Sequence, residues 1–201
     1  MTTKPFNSKT SISSEEINEL PLRAFEGKVL VISEADQLDD AFEEINTHHH
    51  VGFDTETKPV FVKGHRNKVA ILQIALPAKV FLIRLLATGL SREVEHFLQN
   101  DRIQKAGVAI RDDIKALQHL KRFQAGGFVE LAQLAKEAGL EVESVKKLTA
   151  LLLGFRISKS AQTSNWEAEQ LHERQISYAA TDAWVCLKIY EKLAIHSRRV
   201  K

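Results

Sequence analysis

Asp54 and Glu56 close the run Val51-Gly52-Phe53-Asp54-Thr55-Glu56, an apolar strand signal that ends in two acids. Side chains alternate along a strand with period two, so Val51 and Phe53 share one face and the two acids share the other. Carboxylates on one face repel unless something positive lies between them. A hard divalent cation held by oxygen ligands is the usual neutraliser. Much further along, Tyr178-Ala179-Ala180-Thr181-Asp182 sets a phenol and a third carboxylate four residues apart. On a helix they stand about 40° from each other, on one face. A phenol beside a metal-bound carboxylate can orient an attacking water and help deprotonate it. The plain alternative is a tyrosine buried for packing and an aspartate paired with a lysine.

Gly107-Val108-Ala109-Ile110-Arg111-Asp112-Asp113-Ile114 offers a fourth acid, with two neighbours competing for the role. On a helical wheel with Ile114 at zero, Leu117 falls at about 300°, Leu120 at about 240° and Asp113 at about 260°, so Asp113 lies inside the apolar arc. Asp112 falls at about 160°, outside that arc, and reads as a cap or first-turn acid facing water. Asp113 is therefore chosen. Four acids of this kind suit two Mg²⁺ or Mn²⁺ ions about 4 Å apart, clamping the attacking and leaving oxygens of a phosphodiester. Asp54 would bridge both ions, Glu56 and Asp182 would complete one site, and Asp113 would serve the other.

These residues need a sheet and helices to bring them together. The 201 residues are 44% hydrophobic and 27% charged, enough for one sizeable core. Strands are expected at 27–32, 51–56, 69–76, 80–83, 103–109 and, briefly, at 128–131. The runs 51–56, 69–76 and 80–83 should form an antiparallel meander. Helices are expected near 14–20, from a cap at Ser14; near 38–45, from a cap at Ser33; and at 91–98, 112–120, 131–138, 144–153 and 173–195. That order gives an α/β protein, a mixed sheet with helices on both faces. Residues 1–25 are expected to be a loose arm with a short helix, 26–196 the domain, and 197–201 a basic tail.

The net charge of +2 is a weak hint of nucleic acid. Bound cations would offset the clustered acids and make the working surface more positive. The single cysteine, Cys186, excludes an internal disulfide and a zinc–thiolate site, and fits a buried apolar position in a reducing compartment. No run approaches the ~18 apolar residues of a membrane span, and the start lacks a signal-peptide core. A cytoplasmic protein with no membrane partner is the expectation. His48-His49-His50 reads as a solvated loop, since strand neighbours cannot all face one ion.

Phe53-Asp54-Thr55-Glu56, the stretch from Gly107 to Asp113, and Tyr178 to Asp182 resemble the three exonuclease motifs of the DEDD superfamily, in its tyrosine-bearing branch. The likeness is greatest to the exonuclease domain of the Werner syndrome protein, with ribonuclease D more distant. It covers roughly residues 28–193 and includes Gly64 to Ile74, Lys105 to Val108, and Ser164-Asn165-Trp166. It implies a ribonuclease-H-like sheet and 3′-to-5′ release of nucleoside monophosphates. It also implies Asp54, Glu56, Asp113 and Asp182 as metal ligands, with Tyr178 positioning water. One departure is Asp112, where the family pattern carries a small residue.

For the substrate, Thr55 could contribute its backbone near the 3′ end, and Trp166 could stack a base or brace its loop. Lys63, His65, Arg66, Lys68 and Arg111 are candidate phosphate contacts. DNA is the expected substrate. The rivals are a ribonuclease D-like RNA exonuclease and a non-catalytic nucleic-acid-binding module.

Overall fold

The computed structural model describes residues 9–61, 64 and 66–199, with the side chains of 196–199 left aside. Lys63, His65 and the end of the basic tail, Val200 and Lys201, lie outside the described residues.

Six strands form one sheet: β1 (Lys28–Ile32), β2 (His50–Thr57), β3 (Val69–Ala75), β4 (Lys79–Arg84), β5 (Gln104–Gly107) and β6 (Phe128–Glu130), in the order β1-β4-β3-β2-β5-β6. β2, β3 and β4 are the antiparallel meander, while β1 joins β4, β5 joins β2 and β6 joins β5 in parallel. All seven residues of β3 are buried, as a central strand covered on both faces must be.

Helices α2 (Gln37–Ile45), α4 (Arg92–Gln99) and α5 (Ile110–Leu120) cover one face. There Phe42, Phe97, Leu98 and Leu117 meet Val51, Phe53, Leu72, Ile74 and Phe81 of the sheet. The long α8 (Glu173–Arg199) lies across the other face, flanked by α6 (Leu131–Glu137) and α7 (Val145–Leu153). Cys186 is buried there. No helix among the described residues is long and apolar enough to cross a membrane.

Several boundaries differ from expectation. The first helix, α1 (Ser14–Glu19), is capped by Ser13, whose hydroxyl accepts from Glu16 N–H while the Glu16 carboxylate accepts from Ser13 N–H. This reciprocal box moves the cap one residue before Ser14. Ser33 caps nothing: α2 starts after Asp36, and Ser33 N–H instead donates to Gln37. A short α3 (Leu85–Thr88) was not anticipated. α5 begins two residues early, because its first turn is held from outside by Glu130. α8 runs on to Arg199, through most of the stretch expected as a tail.

Of the segment expected as a loose arm, the described residues 9–25 run along the body. Ile17 is buried, Thr10 accepts from Glu141 N–H at 2.8 Å, and Leu22 pairs with Arg156. His48 is held by Glu44 and Thr47, whereas His50 lies in β2 against Tyr190, so the three histidines do not converge.

Candidate active site

β2 delivers Asp54 and Glu56 to the α8 side of the sheet. Gly52, on the same face, sets how near α8 can come. A Cβ there would lie 1.9 Å from the Ala183 carbonyl oxygen, so only glycine permits this approach. Ala179, Ala180 and Ala183 are buried at the same seam and keep it thin. The helix thereby brings Asp182 to the strand acids. Ligand oxygens of Asp54, Glu56 and Asp182 all lie within 4.8 Å of one another.

α5 supplies the fourth acid. Asp113 turns inward and accepts a hydrogen bond from the Thr55 hydroxyl. Asp112 points to solvent, its side chain 85% exposed, and pairs with Lys115 at 3.2 Å. Asp113 lies outside the tight trio but adds to the negative field on Asp54 and Glu56.

The electrostatics are those of a site short of positive charge. Burial, then the neighbouring Asp182, Asp113 and Glu56, push Asp54 well above the usual carboxylate range. Burial and Asp182 push Glu56 up to about 8. Burial raises Asp113 to about 6, against the Thr55 hydrogen bond. Burial raises Asp182 to about 6 as well, opposed by its hydrogen bond with Tyr178 and by the field of Lys159. Among the described residues none of these acids has an ion-pair partner, and Asp182 Oδ1 is buried with no hydrogen bond. Like charges gathered in a low dielectric with no ion-paired cation among the described residues call for an external one. Burial and the Asp182 charge also drive the Tyr178 hydroxyl far above its ordinary range. Without metal it therefore stays protonated beside Asp182, one helical turn on.

The substrate candidates fall out differently. Thr55 commits its hydroxyl to Asp113 and its backbone N–H to Asp54, so it braces the acids. Trp166 is fully buried, its ring 6.0 Å from that of Tyr178. It braces the tyrosine from behind and has no face free for a base. Arg66, Lys68 and Arg111 are exposed. A cavity of about 470 Å³ opens beside Tyr178, lined by Arg23, Ser158, Arg174 and Thr181 among others.

Three residues escaped the sequence reading. Gln73 stands opposite Asp54 on the β2–β3 ladder, fully buried on the acid face. Its side-chain amide lies beside Glu56 and favours the charged carboxylate, although neither amide atom reaches a hydrogen bond of full geometry. In the sequence it lies inside the apolar strand expected at 69–76. Glu130 accepts from the backbone N–H groups of Ala109 at 3.1 Å, Ile110 at 3.1 Å and Ala132 at 3.2 Å. It holds the turn into α5, where Ala109 takes the left-handed conformation at φ 59°. Lys105 was noted only as part of the resemblance. It is buried and donates to the carbonyls of Asn100, Ile103 and Gly126 at 2.6–2.9 Å, which ties β5 to its flanking loops.

Comparison with known proteins agrees with this geometry. The family model described as 3′-5′ exonuclease matches residues 29–196. The mouse bifunctional 3′-5′ exonuclease/ATP-dependent helicase WRN is 33% identical over 184 residues, 87% of this chain and 13% of that protein. The human exonuclease mut-7 homolog is 31% identical over 177 residues, 74% of this chain and 20% of that one. The chain thus spans a small part of these relatives' length. Among solved structures, Escherichia coli RNase D superposes with a TM-score of 0.77 at 23% identity, covering 86% of this chain and 46% of that one. The Aedes aegypti Nibbler EXO domain gives 0.74 at 24% identity, covering 90% and 94%. These two establish the shared, ribonuclease-H-like fold. Acids gathered on strand and helix, a family match over nearly the whole chain, and relatives above 30% identity make the chain a member of the 3′-5′ exonuclease family within the DEDD superfamily.

Proposed function

We propose that the chain removes nucleoside 5′-monophosphates from the 3′ ends of DNA in a reaction dependent on divalent metal. The observation that carries this reading is the meeting of Asp54, Glu56 and Asp182 within 4.8 Å, beside Tyr178 and with no ion-pair partner among the described residues. All-oxygen, carboxylate-rich donors suit Mg²⁺ or Mn²⁺. Asp54, Glu56 and Asp182 would hold one ion, and Asp54 with Asp113 a second, bound in part through water. Ions there would offset charge on the scissile phosphate and lower the pKa of the attacking water.

The chain's own groups do the rest. Tyr178 stands beside the nucleophile's position, kept in place by Trp166 behind it and by its hydrogen bond to Asp182 one turn on. Thr55 fixes the two acids it touches. Gln73 favours the charged form of the Glu56 carboxylate, which burial and repulsion would otherwise displace or protonate.

The proposal of DNA rests on the likeness of the three motifs to the Werner-type exonuclease domain. An RNA exonuclease is the second reading, supported by the fold shared with RNase D, including the Trypanosoma brucei enzyme solved with RNA. Matched DNA and RNA strands, labelled at either end and digested with Mg²⁺, Mn²⁺ or EDTA, test the reading. Loss of 3′ label first, only with metal and faster on DNA, is expected. Full release in EDTA, or by Asp54→Ala, would remove the mechanism, and faster release from RNA would favour the second reading.

A further inference from the structure

A second group of charges lies outside the acid cluster. α5 turns Asp113 inward, but its outer face carries Asp112, Lys115 and His119. With Arg66, Asn67 and Lys68, which precede β3, these line a cavity of about 480 Å³. The wall before β3 is fixed, because Asn67 Nδ2 donates to the carbonyls of Lys58 at 2.9 Å and Pro59 at 3.4 Å. The only acid among the described residues lining the pocket, Asp112, is engaged by Lys115. Arg66 and Lys68 have no ion-pair partner among the described residues, and Arg66 Nη1 donates to His119 Nε2 at 3.4 Å, which joins the two walls. Arg66, Lys68 and Lys115 bring three cations to a braced cavity against the single charge of Asp112, and that excess is relieved when an anion lies between them.

The position gives the anion its identity. His119 lies six residues beyond Asp113, about 9 Å along the helix axis. Phosphates on a stacked strand recur about every 3.4 Å along its axis. The pocket is thus within a few nucleotides of the acid cluster, on the helix that supplies one of its acids. We propose that this pocket is a backbone subsite: it holds a phosphodiester of the substrate strand a few nucleotides upstream of the 3′ end. The assignment rests on the exonuclease reading for the strand's direction, but the pocket's affinity for the backbone can be measured without catalysis.

The test uses the whole chain in EDTA, where nothing is cut, and a fluorescent single-stranded oligonucleotide followed by anisotropy. Lys68→Ala with Lys115→Ala takes one cation from each wall. The control, Lys146→Ala with Lys147→Ala on α7, removes the same charge elsewhere. The pocket variant should weaken binding about tenfold and flatten the salt dependence by roughly 0.7 in log–log slope for each phosphate that is no longer neutralised. The control should change affinity less than about twofold, as expected of charges far from the bound phosphates. Equal losses from both variants, or no loss from the pocket variant, would overturn the proposal. A wild-type protein that binds in this way yet releases no nucleotide with Mn²⁺ would sink the exonuclease reading and leave the pocket standing.

Discussion

Asp54, Glu56, Asp113 and Asp182 are held where their charges conflict, and single substitutions should expose that conflict. Asp182→Asn removes one charge from the repelling set. It should abolish nucleotide release and yet raise the metal-free melting temperature, a pairing that scanning calorimetry and an end-label assay would read together. Asp113→Asn should lower the rate at least a hundredfold, while Asp112→Asn, at an exposed surface pair, stays within about threefold. The reverse order would refute the helix-face argument. Gln73→Leu replaces a buried amide that has little to bond with by an apolar group of similar size. It should leave the fold as stable or more so, by up to about 1 kcal/mol, while nucleotide release falls at least tenfold and half-saturation by Mn²⁺ moves upward. Asp54 and Glu56 were legible because strand alternation gives an acid a face. Gln73 was not, because a lone amide in an apolar run carries no periodic signature, and its role depends on a partner strand that pairs it with Asp54.

The elements act chiefly by how near they come. α8 touches β2 at Gly52, and Gly52→Ala would drive a methyl group into the Ala183 carbonyl, a backbone atom that no rotamer change can move. Overpacking of this kind costs about 1–3 kcal/mol or more. A melting temperature lowered by roughly 5–10 °C, with activity lost because Asp182 is displaced, is the expected result. An unchanged protein would contradict the seam described here. The meander, the alternation of strands with helices and the two covered faces could all be read from hydrophobic periodicity. Helix starts were read less well, because they depend on distant atoms. Glu130 sets the beginning of α5 from twenty residues away, and no local pattern announces that reach. Trp166 was left open for the same reason: its burial follows from the packing of its loop onto α8, a tertiary contact.

At the scale of the whole molecule, the acid cluster ties stability to pH and to metal. Carboxyl groups whose folded pKa is raised favour the fold when protonated. That stability is present below the unfolded value near 4 and is lost as pH rises through about 6 for Asp113 and Asp182 and about 8 for Glu56. A tenfold change in proton affinity is worth about 1.4 kcal/mol, or roughly 3–5 °C in a domain of this size. The metal-free protein should therefore melt several degrees lower at pH 8 than at pH 5, and Mn²⁺ should reverse the loss most at the higher pH. Calorimetric titration with Mn²⁺ at pH 8 reads, without catalysis, whether the three clustered carboxylates hold divalent cations. Wild-type protein should show saturable binding that is lost in a folded Asp54→Asn variant. The same binding isotherm from both proteins would contradict the account.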